Sequence, residues 1–166
     1  MISVEHVRLM ARYNDWQNRS LYGAADTLDD AARRLQRGAF FGSIHGTLSH
    51  LLWGDHMWMS RFAGTPKPTG NGRDAVTMFP DWEDLKRQRV AFDATISDWA
   101  QRLDPSWLYG VLTWYSGLAK RDVSKPAWML ATHMFNHQTH HRGQVHAMLT
   151  AAGARPDDTD IMLMDV

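Results

Sequence analysis

Between Trp82 and Leu103 the large residues keep one rhythm. Trp82, Leu85, Arg89, Phe92, Ile96, Trp99 and Leu103 step by 3, 4, 3, 4, 3 and 4. A helix brings such a series onto one seam, the pattern of a helix packed lengthwise on others. A chain built around that seam must supply further long helices with apolar faces. Arg89 is its charged member: the stem packs while the guanidinium reaches outward to water, or it anchors an anionic group of a substrate. Asp81 after Pro80 is the expected N-cap, Glu83 and Asp84 suit the positive end of the helix dipole, and Asp104-Pro105 ends the helix.

Three more long helices are legible. Ser3 to Tyr22 holds neither Pro nor Gly, with Ser3 as the start and Gly23 as the close. There Leu9, Tyr13 and Trp16 form one stripe, and Met10, Asn14, Gln17 and Leu21 a second. The amides of the second stripe read as solvated groups beside a core face; the sharper reading has Asn14 lining a pocket. A short helical turn is expected within 26–35, and Arg37 to Gly42 reads as a loop. Ser43 begins the second long helix. Gly64 to Arg73, with two prolines and three glycines in ten residues, is a loop able to cap one end of a bundle.

Trp107 to Tyr115 is rich in aromatic and β-branched residues before a Ser116-Gly117 turn, which predicts a short hairpin or an extended crossover. The last long helix has Pro126 in its first turn and Gly153 at its end. The fold expected is all-α, a four-helix bundle forming one domain over 1–166.

Composition narrows the function. Lys plus Arg equals Asp plus Glu at 18 each, so nothing marks a surface for nucleic acid or an anionic membrane. There is no cysteine, which removes disulfides, thiolate metal sites and a cysteine nucleophile, and leaves histidine and carboxylate as the strong ligands. No signal pattern opens the chain and no apolar run approaches membrane-spanning length. A soluble cytoplasmic protein is expected. Gly-x-Ser-x-Gly and phosphate-loop motifs are absent.

Five of the nine histidines lie in the last helix: His133, His137, His140, His141 and His146. His133, His137 and His141 are spaced by four and fall within about 80° of one another. Leu130, Gln144 and Met148 share that arc and turn it inward, where neutral imidazoles need partners. The bland alternative is a histidine-rich helix with no ion. Three such residues span about 12 Å along the axis, too far for one ion, so His137 with His141 and His133 with His137 compete as the ligand pair. Gln144 gives the first pair a modest advantage.

A third ligand must come from another helix, and His50 is the best candidate. It lies at the edge of an inward stripe, and Gly54 one turn on leaves space for an ion or a substrate. Asp55 and His56 lie farther round, as surface groups or as partners of ligating residues. Gln138 follows His137 where a zinc protease would carry a glutamate base, so that motif is not met.

His50-Leu-Leu-Trp-Gly-Asp and Asn136-His-Gln-Thr-His-His-Arg-Gly-Gln144 resemble the DinB family of damage-inducible proteins, within the larger DinB and thiol-transferase-like superfamily. Ala11-Arg-Tyr-Asn-Asp-Trp-Gln-Asn and Phe40-Phe-Gly-Ser-Ile-His-Gly-Thr-Leu extend the match over nearly the whole chain. The resemblance implies a four-helix bundle, commonly a homodimer, whose His50, His137 and His141 hold a divalent ion, zinc or nickel. It also implies a small-molecule substrate, with low-molecular-weight thiol transfer or hydrolysis as the reactions. Asn14, Asp55, Arg89 and His133 are then the candidates to support the ligands or touch the substrate. The competing class is a non-catalytic protein whose ion pins the second and last long helices together. Trp128 and Phe135, on the far side of the last helix from the histidines, are the candidates for a dimer face.

Overall fold

A computed structural model of the chain describes residues 1–117 and 119–165. Its elements run α1 (Val4–Asp26), α2 (Asp30–Arg34), α3 (Ile44–Phe62), α4 (Trp82–Arg102), β1 (Val111–Ser116), β2 (Arg121–Pro126) and α5 (Ala127–Ala151), with single 3-10 turns at Asp74–Thr77, Pro105–Tyr109 and Ile161–Leu163. The architecture is mostly helical with one small two-stranded antiparallel sheet. α1 lies against α4 and α5, and α3 lies against α5 and α4.

The helix starts follow local chemistry. Ser3, Ser43 and Asp81 each accept a hydrogen bond from the backbone three residues on, at His6, Gly46 and Asp84. α1 runs past Gly23 to Asp26, because Ala24 and Ala25 are buried and carry the packed face one turn further. Gly153 adopts φ +82° and lets Ala154 N–H return to Leu149 O at 3.0 Å, closing α5. The segment before α5 is a hairpin: Val111 pairs with Pro126 and Ser116 with Arg121.

Every member of the Trp82–Leu103 seam is buried. Arg89 departs from the outward expectation. It is 3% exposed and lies between Asp55 Oδ2 at 2.7 Å and Asp93 Oδ1 at 2.8 Å. Asp93 also accepts from Asn14 Nδ2 at 2.8 Å and Asn18 Nδ2 at 3.0 Å, while Asp55 accepts from Gln138 Nε2 at 2.9 Å. Arg142 donates to Asn14 Oδ1. Two cations and two carboxylates thus share one buried network that touches α1, α3, α4 and α5. Asn14 is fully buried in it, so its amide is neither solvated nor turned to a pocket. Burial raises the Asp93 pKa against the opposing pull of Arg89, and burial lowers that of Arg142 to about 10.

Phe135 is 2% exposed and belongs to the core, which removes it as a dimer face. The cause is that α5 is covered on several sides, by α1, α3 and the segment before it. Trp128 is half-buried against the same core.

Because removing one member of a buried ion pair strands the other, Asp55→Ala should cost about 3–5 kcal/mol of stability. The helix-cap change Ser43→Ala should cost only about 1 kcal/mol. Urea midpoints of the two variants beside wild type check both values.

Candidate metal centre

His50 projects from α3, and His137 and His141 project from α5 one turn apart. One ring nitrogen from each lies within 4.8 Å of the others. His50 Nε2 and His137 Nε2 are 3.2 Å apart. Two nitrogens bound to one tetrahedral zinc at about 2.0–2.1 Å stand roughly 3.3 Å apart, so this pair already has the spacing of two ligands of one ion.

The far nitrogens fix the near ones. His50 Nδ1 lies 3.1 Å from the Gly72 carbonyl, which only accepts, so Nδ1 carries the proton and Nε2 presents a lone pair. His141 Nδ1 lies 2.8 Å from Gln144 Oε1, and the Gln144 amide nitrogen faces His140 Nε2 at 3.3 Å, an orientation that likewise puts the proton on His141 Nδ1. His137 Nδ1 is buried and has no hydrogen-bond partner among the described residues. Lone pairs converging from neutral imidazoles are the donor set of a divalent cation. The residues present fit such an ion.

Packing shapes the same point. A Cβ on Gly54 would stand 3.0 Å from His137 Cε1. The room left by that glycine therefore holds the His137 ring itself rather than a ligand. Phe41 stacks on His50 at 3.7 Å between ring centres and lies 5.2 Å from His141. It reaches them from the tight turn Arg37 to Gly42, where Gly38 and Gly42 take positive φ. The loop before α4 folds down along α3 through Trp53 Nε1–H to Thr69 O at 2.8 Å and His45 Nε2 to Phe79 O at 2.7 Å, which carries Gly72 to His50.

Burial and mutual repulsion keep these imidazoles neutral. Desolvation, followed by the neighbouring His141, lowers the His50 pKa to about 4. Desolvation, followed by His141 and His50, lowers that of His137 to about 3. His141 is lowered too, mainly by burial.

His133 stands apart from the three. Its ring centre is 6.0 Å from that of His137, it is exposed, and it meets the edge of Trp58 at 4.9 Å. Asn14, Asp55 and Arg89 occupy the buried network, and none of them bonds a histidine of the cluster. Their route to the site runs through chain neighbours: Asp55 follows Gly54, and its partner Gln138 follows His137. Sequence reasoning missed Phe41 and Gly72, which lie in irregular segments whose path no periodicity reports.

The chain is thus a mostly helical protein with a three-histidine cluster able to hold a metal ion. It belongs to the DinB family, whose model matches residues 3–165. It is 28% identical over 161 residues to Protein DinB of Bacillus subtilis (strain 168), a match covering 89% of this chain and 87% of that one.

Two expectations follow. In the unfolded chain these histidines titrate near 6.5; in the fold they resist protons down to lower pH. Their contribution is therefore constant above pH 6.5, and stability is lost as pH falls from there toward the lowered values. Urea midpoints of metal-free protein should drop between pH 7.5 and 4.5, and less steeply for His137→Gln. Gly54→Ala should displace the His137 ring and weaken zinc binding about 10- to 100-fold, the loss usual when a ligand's support is disturbed; competition with a chromophoric chelator measures it.

Proposed function

We propose that His50, His137 and His141 hold one divalent ion, zinc or nickel, in a metal-dependent enzyme acting on a small molecule by thiol transfer or hydrolysis. The observation that carries this reading is the convergence of three neutral imidazole nitrogens from two helices. In it the four long helices serve as a four-helix bundle that fixes α3 against α5. A homodimeric, cytoplasmic protein is part of the same reading, supported by family resemblance.

When bound at three protein ligands, such an ion supplies Lewis acidity and lowers the pKa of a coordinated water or thiol toward neutrality. The chain's own residues do the rest. Gly72 O and Gln144 Oε1 hold protons on His50 Nδ1 and His141 Nδ1, so both rings keep their inner lone pairs aimed at one point. Phe41 covers one side of His50 and keeps water from it. Exposed His133 and His140 flank the cluster on α5.

The alternative is an ion that only pins α3 to α5. Those helices are already joined inside the core by Asp55 with Gln138, which favours a reactive ion over a structural one.

Elemental analysis of untagged protein tests the proposal. Wild type should carry or take up close to one zinc or nickel per chain, and His50→Ala and His137→Ala should lose it. Chelation should lower the melting temperature only slightly; a large drop would favour the pinning role. A wild type that takes up neither metal would refute the three-histidine centre.

A further inference from the structure

The hairpin before α5 has two edges of different character. Its register pairs Val111 with Pro126, and one step beyond them Ala127 N–H donates to Gly110 O at 2.9 Å. In an antiparallel ladder, residues that exchange backbone bonds alternate with residues that do not. Counting from Gly110, therefore, Leu112, Trp114 and Ser116 turn their N–H and C=O groups toward β2, and Val111, Thr113 and Tyr115 turn theirs away from it. The outward groups find no backbone partner among the described residues. The same three residues form the exposed face of the strand. Val111 is 63% exposed and Tyr115 66%, with Thr113 exposed between them, while Leu112 and Trp114 turn inward against the core.

The other edge is protected in the way of natural edge strands. By the same count the outward groups of β2 belong to Asp122, Ser124 and Pro126, so one position carries a charge and another has no N–H to give. Arg121 and Lys125 add charge to that strand. β1 has neither a charge nor a proline from Val111 to Ser116. An uncharged strand with open donors and acceptors is a template for another strand.

We propose that β1 pairs edge to edge with β1 of a second copy of this chain, about a two-fold axis at Thr113, joining two hairpins into one four-stranded antiparallel sheet. The outward groups set the register. With Thr113 opposite the partner's Thr113, Val111 lies opposite the partner's Tyr115 and Tyr115 opposite the partner's Val111. Each of these three pairs exchanges two backbone hydrogen bonds, six in all. A slip of two residues keeps only two of the three pairs within the strand. A β-branched residue beside an aromatic one is a favourable cross-strand pair, and no charge is brought into the joint. The strand is thus complementary to itself, and the protected β2 edges stop growth at two chains. The inference rests on the homodimer of the reading above and names its interface; the metal centre takes no part in it.

The residue on the axis supplies the test, because Thr113→Lys sets two lysines face to face. Sedimentation equilibrium between about 5 and 500 µM should show wild type passing from monomer to dimer, the behaviour of a small interface. Thr113→Lys and Thr113→Glu should each weaken the dimer about tenfold or more through repulsion of like charges. An equimolar mixture of the two variants should restore dimers at the wild-type concentrations, with one lysine chain and one glutamate chain in each by native mass spectrometry. Because Thr113 is exposed, the circular dichroism and zinc uptake of each variant should match wild type. A wild type that stays monomeric throughout the range overturns the proposal and the homodimer together. A dimer that neither variant weakens, or variants that weaken it without mutual rescue, overturns the β1 edge and leaves the homodimer standing on another face.

Discussion

Two arginines and two aspartates with no net charge, buried where all four long helices meet, set the geometry of everything else. Asp55 comes from α3, Arg89 and Asp93 from α4, Arg142 from α5, and the amides Asn14, Asn18 and Gln138 from α1 and α5. Such groups resist sliding. A hydrophobic seam tolerates small shifts, but a buried charge that loses its partner is stranded in a medium that cannot solvate it. The network therefore acts as a set of pegs fixing the rotation and height of each helix.

The histidines inherit that register. Gln138 follows His137, Arg142 follows His141, and Asp55 follows Gly54, whose missing side chain admits the His137 ring. Each peg points into the core while its neighbour on the chain points to the cluster, so holding one aims the other. The irregular segments finish the job. The 37–42 turn lays Phe41 on His50, and the loop over α3 delivers the Gly72 carbonyl. Helices place the ligands, and loops set their protons.

Much of this was legible in the residues. The 3-4 seam of α4, the serine and aspartate caps and the four-residue spacing of the histidines all depend on local periodicity, which a sequence displays directly. The place of His50 at the edge of an inward face was readable from its stripe, while the choice of His137–His141 over His133–His137 had only the modest support of Gln144 beside the family resemblance. The polar pegs were not legible. Arg89 looked like a snorkelling residue, because Asp55 is 34 residues distant in the chain and the four-residue spacing to Asp93 is equally that of a surface pair. The partner of Arg142 is 128 residues away. A partner so remote leaves no local pattern. Gly23 failed as a helix stop for the opposite reason: the local signal was present, but buried Ala24 and Ala25 carried the helix through it.

The central claim is that three imidazoles from two helices form the protein part of an incomplete coordination sphere. X-ray absorption at the zinc edge of loaded protein measures this most directly. The account predicts three histidine nitrogens with their outer-ring scattering and one further light atom, all near 2.0–2.1 Å, with one imidazole lost in His141→Ala. A shell closed by a fourth protein ligand, or one without histidine scattering, would contradict it.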